Sequence, residues 1–148
     1  MSAADPLARL KQEFEASYRR ARYRVMLEDG EVALTLGHHD REAEQRLRET
    51  FDLQRHWVIL TPCNPRSVQS REELNNFYLD ELRLALDRHS GAWGKAINVD
   101  PWGEWPDEPG FFIVDPDIGW IMDLGHRFGQ NALVYGALGQ PPTLIWLT

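Results

Sequence analysis

Leu124-Gly125-His126-Arg127-Phe128-Gly129-Gln130-Asn131-Ala132-Leu133-Val134-Tyr135 contains a change of period. Upstream of it Ile118, Ile121, Met122, Leu124 and Phe128 recur at the three- and four-residue steps of a helix stripe. Gly129 stops that stripe, because glycine takes the left-handed closing conformation without steric cost. Ala132 to Gly136 then read as a strand, paired through the Gly139-Gln140-Pro141-Pro142 turn with Thr143 to Leu147. Arg127, Gln130 and Asn131 crowd the junction with more hydrogen-bonding side chains than a helix-to-strand turn needs.

Working outward, the same alternation of helix and strand signals recurs. Asp5-Pro6 pairs a cap with a first-position proline, and Leu7, Leu10, Phe14 and Tyr18 follow on one stripe. Tyr23, Val25 and Leu27 alternate with polar neighbours up to Asp29-Gly30, and Val32, Leu34 and Leu36 alternate on the return, which is a hairpin. Asp40 caps a helix carrying Ala43, Leu47 and Phe51, and His56 to Leu60 is an apolar run of strand length. Ser70-x-x-Glu73 reads as a capping box. The helix after it, ending near Ser90-Gly91, carries Leu74, Phe77, Tyr78, Leu82, Ala85 and Leu86. Residues 92 to 99 and 110 to 114 read as strands, and Asp115-Pro116 repeats the cap-and-proline start. The expected fold is α/β, with α+β as the variant, in one domain spanning 1–148. About four helices pack on a mixed sheet of about six strands, and Leu74, Phe77, Leu82, Ile121, Leu124 and Phe128 are expected in the core.

The chain has 148 residues, 43% of them hydrophobic, enough to bury a proper core. Its net charge of -7 disfavours a general nucleic-acid binder, which needs clustered cations to displace counterions. The dense positive group, Arg19, Arg20, Arg22 and Arg24, reads as a solvated face. The single Cys63 excludes an internal disulfide and reads as a small buried hydrophobe. No apolar run approaches the ~20 residues that cross a bilayer, and no leader pattern stands at Met1. A cytoplasmic protein without membrane contact is expected. His38-His39 has no third ligand at metal spacing, so neither a metal nor a cofactor is expected.

Two further segments share the polar character of the opening stretch. Asn64-Pro65-Arg66-Ser67 lies between a strand and a helix, where backbone amides and the helix dipole favour an anion. Arg66 would add a two-pronged donor and Ser67 a hydroxyl; the bland alternative is an Asx-turn at Asn64 and a serine cap. The spaced glycines of a dinucleotide fingerprint or phosphate loop are missing. Asp100 to Gly110 holds two tryptophans, four carboxylates and three prolines. There Trp102 or Trp105 can stack on a ring, and Asp100, Glu104 or Glu108 can accept hydroxyls or act in acid-base chemistry. In the bland reading the indoles pack on the prolines. At the junction Arg127 would hold a phosphate or carboxylate, with Gln130 and Asn131 reading an amide or base edge, or all three satisfy backbone groups.

These three segments resemble a bacterial family of small domains of unknown function. Its marks are an Asn-Pro-x-Ser segment, an Asp-Pro-x-Gly-x-Trp-Pro-x-Glu-Pro-Gly segment and a Leu-Gly-x-Arg-Phe-Gly-Gln-Asn-Ala ending. The resemblance covers nearly the whole chain and implies no activity; it favours a site at Arg127, Gln130 and Asn131, while His126 stands where the family usually has Arg. The sequence thus leads to one pocket formed by Asn64, Arg66, Ser67, Trp105, Arg127, Gln130 and Asn131. Its expected ligand is an anionic, phosphorylated or nucleotide-like small molecule. Glu104, Glu108 and Asp100 are the catalytic candidates for hydrolysis or group transfer. The alternative is a non-catalytic module whose Trp102/Trp105 loop meets a protein partner.

Overall fold

The structure, a computed structural model, describes residues 5–147. Helix α1 (Pro6–Arg20) starts where the Asp5 carboxylate accepts the Leu7 N–H at 3.1 Å. Strands β1 (Arg22–Leu27) and β2 (Gly30–Leu34) form the hairpin, with Leu27 opposite Gly30. Asp40 caps α2 (Arg41–Phe51) by accepting the Ala43 N–H. Strand β3 (His56–Leu60) is followed by a 3₁₀ turn at Pro65–Ser67 and by α3 (Glu72–Leu86). Strands β4 (Trp93–Val99) and β5 (Glu108–Val114) flank the tryptophan loop. The chain then runs through α4 (Ile118–Arg127), β6 (Ala132–Ala137) and β7 (Thr143–Trp146).

The sheet has seven strands in the order β2-β1-β4-β5-β3-β6-β7, and every neighbouring pair is antiparallel. This corrects the expected mixed sheet of about six strands. The physical reason lies in the crossovers. β3 and β4, joined through α3, run in the same direction, as do β5 and β6, joined through α4. In each case a third strand is inserted between the two, β5 in the first and β3 in the second. The helical connections therefore behave as crossovers, yet no parallel pair forms.

One sheet face, with Val25, Trp57, Ile59, Phe112 and Val134, is covered by α2 through Ala43 and Leu47. The other, with Val58, Leu60, Phe111, Ile113 and Leu133, is covered by α3 and α4 through Leu82, Leu86, Ile121, Leu124 and Phe128. Leu74 and Phe77, expected in the core, are exposed. The buried stripe of α3 runs instead through Tyr78, Leu79, Leu82 and Leu86. Two start signals are also spent elsewhere. Ser70 makes no cap: α3 begins after Arg71 with no side-chain cap bond, and the Ser70 N–H donates to Asn64 Oδ1. Asp115, in the left-handed region, accepts N–H groups of Gln54, Arg55 and His56, and Asp117 caps α4 through the Trp120 N–H. Likewise α3 stops at Leu86, short of Ser90-Gly91.

Candidate functional site

The loop after β3 leaves ordinary backbone geometry: Asn64, Arg66 and Ser67 all take positive φ, at 50°, 60° and 58°. Left-handed geometry at non-glycine residues costs about 1–3 kcal/mol each and persists where surrounding bonds over-determine it. Those bonds are present. The Asn64 N–H donates to Asn75 Oδ1 at 2.9 Å, and Asn64 Oδ1 accepts from the Ser70 N–H and from Asn75 Nδ2. Arg66 donates its N–H to the Gly129 carbonyl at 2.8 Å, Asn131 Nδ2 donates to Ser67 Oγ at 2.8 Å, and Gln130 Nε2 donates to the Cys63 carbonyl at 3.0 Å. The Asn64 loop is thereby stapled to the turn closed by Gly129, whose φ is +66°. Asn64, Gln130 and Asn131 are all buried.

Sheet register places the next group. Tyr23 of β1 lies opposite Asn98 of β4, and Asn98 lies opposite Glu108 of β5. Directly opposed residues point to the same face, so a phenol, an amide and a carboxyl stand in line across three strands, on the face that also carries Ile59 and Val134. Helix α1 lies over this line and bounds a partly open cavity of about 350 Å³, within the usual size of a small-molecule site. Phe14, Ser17 and Tyr18 line it from α1, Thr61, Asn64 and Ser67 from the strained loop, and Trp105 and Gln130 from the remaining segments. Asn64 Nδ2 donates to Glu108 Oε2 at 2.8 Å, joining loop to wall.

Burial pushes the Glu108 carboxyl above the usual carboxylate range, against the opposing pull of donors from Asn64 and Trp105. The Tyr18 phenol, facing Ser67 and Glu108, is pushed up to about 12 chiefly by burial, and Tyr23 is raised for the same reason. The Cys63 thiol, also buried, is pushed up to about 11 and is no ready nucleophile. Asn98 Oδ1 is buried without a hydrogen-bond partner among the described residues.

The tryptophan loop is organised by Asp100. Its carboxylate takes the Arg20 guanidinium at 3.0 and 3.3 Å and the N–H groups of Trp102, Glu104 and Trp105. The Arg20 side chain, first among these, holds Asp100 below the usual carboxylate range. Arg20 is therefore no solvated charge; it also lies 4.0 Å over the Trp102 ring, and it fastens the end of α1 to the loop. The two indoles diverge: Trp105 lines the cavity, whereas Trp102 is 68% exposed.

The structure separates the candidates. Asn64, Ser67, Trp105, Gln130, Asp100 and Glu108 line the cavity, and Asn131 stands behind Ser67. Arg127 does not join them. Placed on the last turn of α4, it is exposed and pairs with Glu81 of α3 at 3.5 Å, so the expected single neighbourhood holds Asn64, Gln130 and Asn131 without it. Arg66 is exposed and absent from the cavity wall; its place in the loop is fixed through its backbone N–H, which donates to the Gly129 carbonyl. Glu104 is exposed and at the edge of the Arg20 pair. Among the described residues no Lys, Arg or His lines the cavity. Sequence reasoning missed Tyr18, Tyr23 and Asn98. Tyr18 sits on an apolar stripe and Tyr23 in an alternating strand, both signals of core, and only register shows what they face.

The described residues contain no cluster of three or more His, Cys, Asp or Glu able to hold a metal, and no helix long and apolar enough to cross a membrane. Fold and cavity together define a helix-flanked antiparallel sheet with a ligand-sized chamber beneath its first helix. The chain belongs to the family described as protein of unknown function (DUF3293), whose model matches residues 60–133. That span runs from the end of β3 into β6 and includes the strained loop, Glu108 and Gln130, but not α1. No curated protein and no solved structure matches the chain.

Proposed function

We propose that this chain binds a small polar molecule in the cavity beneath α1, and that the ligand presents hydrogen-bond donors to the wall. The observation that carries this reading is the imbalance of the lining: carboxylates of Glu13, Asp100 and Glu108 and the unpartnered Asn98 Oδ1, with no basic side chain. A phosphate group finds no cation there, since Arg66 and Arg127 lie elsewhere. The nucleotide-like ligand expected from sequence thus narrows to its unphosphorylated part, a base edge or a hydroxyl-bearing ring against Trp105 and Tyr18. Where catalysis accompanies binding, Glu108 is the acid-base residue, because its raised carboxyl stands in the cavity while Asp100 is spent on Arg20 and Glu104 faces solvent.

A thermal-shift series with nucleosides, free sugars and amines, each beside its phosphorylated form, tests the reading. A ligand that binds only the folded state raises the melting temperature with concentration. Stabilisation by the unphosphorylated members is the expected result. Stabilisation by phosphates alone, or by none, overturns it. The exposure of Trp102 supports a second reading, a protein partner at the loop rim, for which Trp102→Ala would abolish association without affecting ligand stabilisation.

A further inference from the structure

We propose that the cavity selects an organic cation: a primary ammonium or guanidinium carried on a small, partly apolar body. This rests on the reading of the cavity as a ligand site and adds the sign of the ligand's charge. Of the three carboxylates that line the cavity, Asp100 already has its counter-charge in Arg20, 3.0 Å away. Glu108 has none. Its polar neighbours are the Asn64 amide and the Trp105 indole N–H, both uncharged. Glu108 is partly buried, and a carboxyl withdrawn from water without a cation is costly to ionise and supplies an acceptor that a ligand cation satisfies.

The rest of the wall suits the same head group. Tyr18, Tyr23 and Trp105 bring aromatic rings to one chamber, the surroundings in which desolvated ammonium groups are held by ring faces. Asn98, between Tyr23 and Glu108 in register, carries the partnerless carbonyl oxygen, a further acceptor for an N–H. An anionic ligand would enter beside Glu108 and Glu13 with no cation to meet it. A divalent metal is disfavoured because no group of three ligating side chains converges among the described residues.

Binding a cation also has a protonic signature. The groups facing Glu108 are Tyr18 on α1, Tyr23 on β1, Cys63 after β3, the neighbouring Trp105, and the cavity carboxylates Glu13 and Asp100. The phenols and thiol are held up by burial and remain neutral at ordinary pH. Glu108, raised by burial, is the facing acid that a cation would force to ionise. Affinity is therefore expected to rise with pH through the Glu108 titration, with proton release on binding below it.

The test uses the whole chain and three compounds with one body and different heads: tyramine, tyrosol and 4-hydroxyphenylacetate. Titration calorimetry is run on wild type, Glu108→Gln and the cavity-filling Ser17→Trp. The expected result is that tyramine binds, tyrosol binds about tenfold more weakly or worse, and 4-hydroxyphenylacetate does not bind. Glu108→Gln should weaken tyramine by a similar factor and remove the proton release. If tyrosol or the carboxylate binds as well as tyramine, and Ser17→Trp blocks it, the cation proposal falls while the cavity reading stands. If none of the three binds, the cation proposal falls, and the nucleoside and sugar series decides the cavity reading alone. Tyramine binding that Ser17→Trp leaves intact places the cation elsewhere and overturns the proposal.

Discussion

A carboxyl whose folded pKa is raised makes stability fall as pH rises, because the folded state then holds its proton longer than the unfolded chain. Glu108 is such a group, raised above its ordinary 4.5 by burial. Its contribution is present below that ordinary value and is lost as pH rises through the folded pKa. Asp100 and Asp115 have depressed pKa values and act in the opposite sense, losing their contribution as pH falls; they cancel in any comparison that keeps both. Glu108→Gln is thus expected to gain stability relative to wild type from about pH 4.5 upward, where the ionised carboxyl would otherwise be buried. Urea midpoints taken across that range check it, and parallel curves would refute the burial argument. Arg127 gives the contrasting case. Its pair with the half-buried Glu81 lies at the surface, with Arg127 itself exposed, and surface pairs contribute about 0–1 kcal/mol. Arg127→Ala should therefore leave both urea stability and ligand-induced stabilisation nearly unchanged, and loss of ligand stabilisation would return Arg127 to the site.

On one helix, α3, sequence periodicity is both informative and misleading. Leu82 is fully buried against the sheet while Phe77, five residues earlier, is 57% exposed. Leu82→Ala should cost about 2–5 kcal/mol, the range for truncating a core leucine. Phe77→Ser should stay within about 0.5 kcal/mol of wild type. Equal losses in denaturant titration would mean that the helix packs in another rotation. A close approach within the sheet gives a second check: a methyl at Gly136 of β6 would land within the Trp57 indole opposite it. Gly136→Ala is expected to lose about 1–3 kcal/mol by overpacking, measured in the same way. The element types were readable because capping aspartates at Asp5 and Asp40 and two distinct hydrophobic periods are local signals. Element starts at Ser70 and Asp115 were not: the Asp115 carboxylate bonds the backbone leading into β3 instead of a helix, and the Ser70 backbone is drawn to Asn64 so that α3 begins after Arg71, choices made by tertiary contacts. The apolar stripe of α3 failed for a related reason: Leu74 and Phe77 satisfy helical spacing, but the sheet meets the neighbouring stripe.

At the scale of the whole molecule, the candidate site depends on how seven strands are ordered, which no local signal contains. Asn64 and Gln130 could be singled out because polar residues crowded their turns. The line from Tyr23 through Asn98 to Glu108 arises only when β4 comes between β1 and β5. The same order leaves α1 as the cavity's roof with no residue of its own fully buried. Its attachments among the described residues include Arg20 to Asp100, Glu104 and the Trp102 ring, the Tyr23 hydroxyl donating to the Tyr18 carbonyl at 2.8 Å, and the edge of Tyr18 against Trp146 at 5.6 Å. An element with little buried apolar surface opens at lower free energy than the core it covers. Backbone amides of α1 are therefore expected to exchange hydrogen faster than those of β3 and β5, the central strands. Asp100→Asn, which removes the charge opposing Arg20, should speed α1 exchange further while leaving β3 protection unchanged. A molecule bound beneath the roof should slow it, because exchange through opening of α1 must first release the ligand. Peptide-resolved exchange measured by mass spectrometry, with and without the stabilising compound, distinguishes this from a rigid roof. If α1 exchanges as slowly as β3, or if the compound protects other segments instead, ligand entry does not proceed by lifting α1.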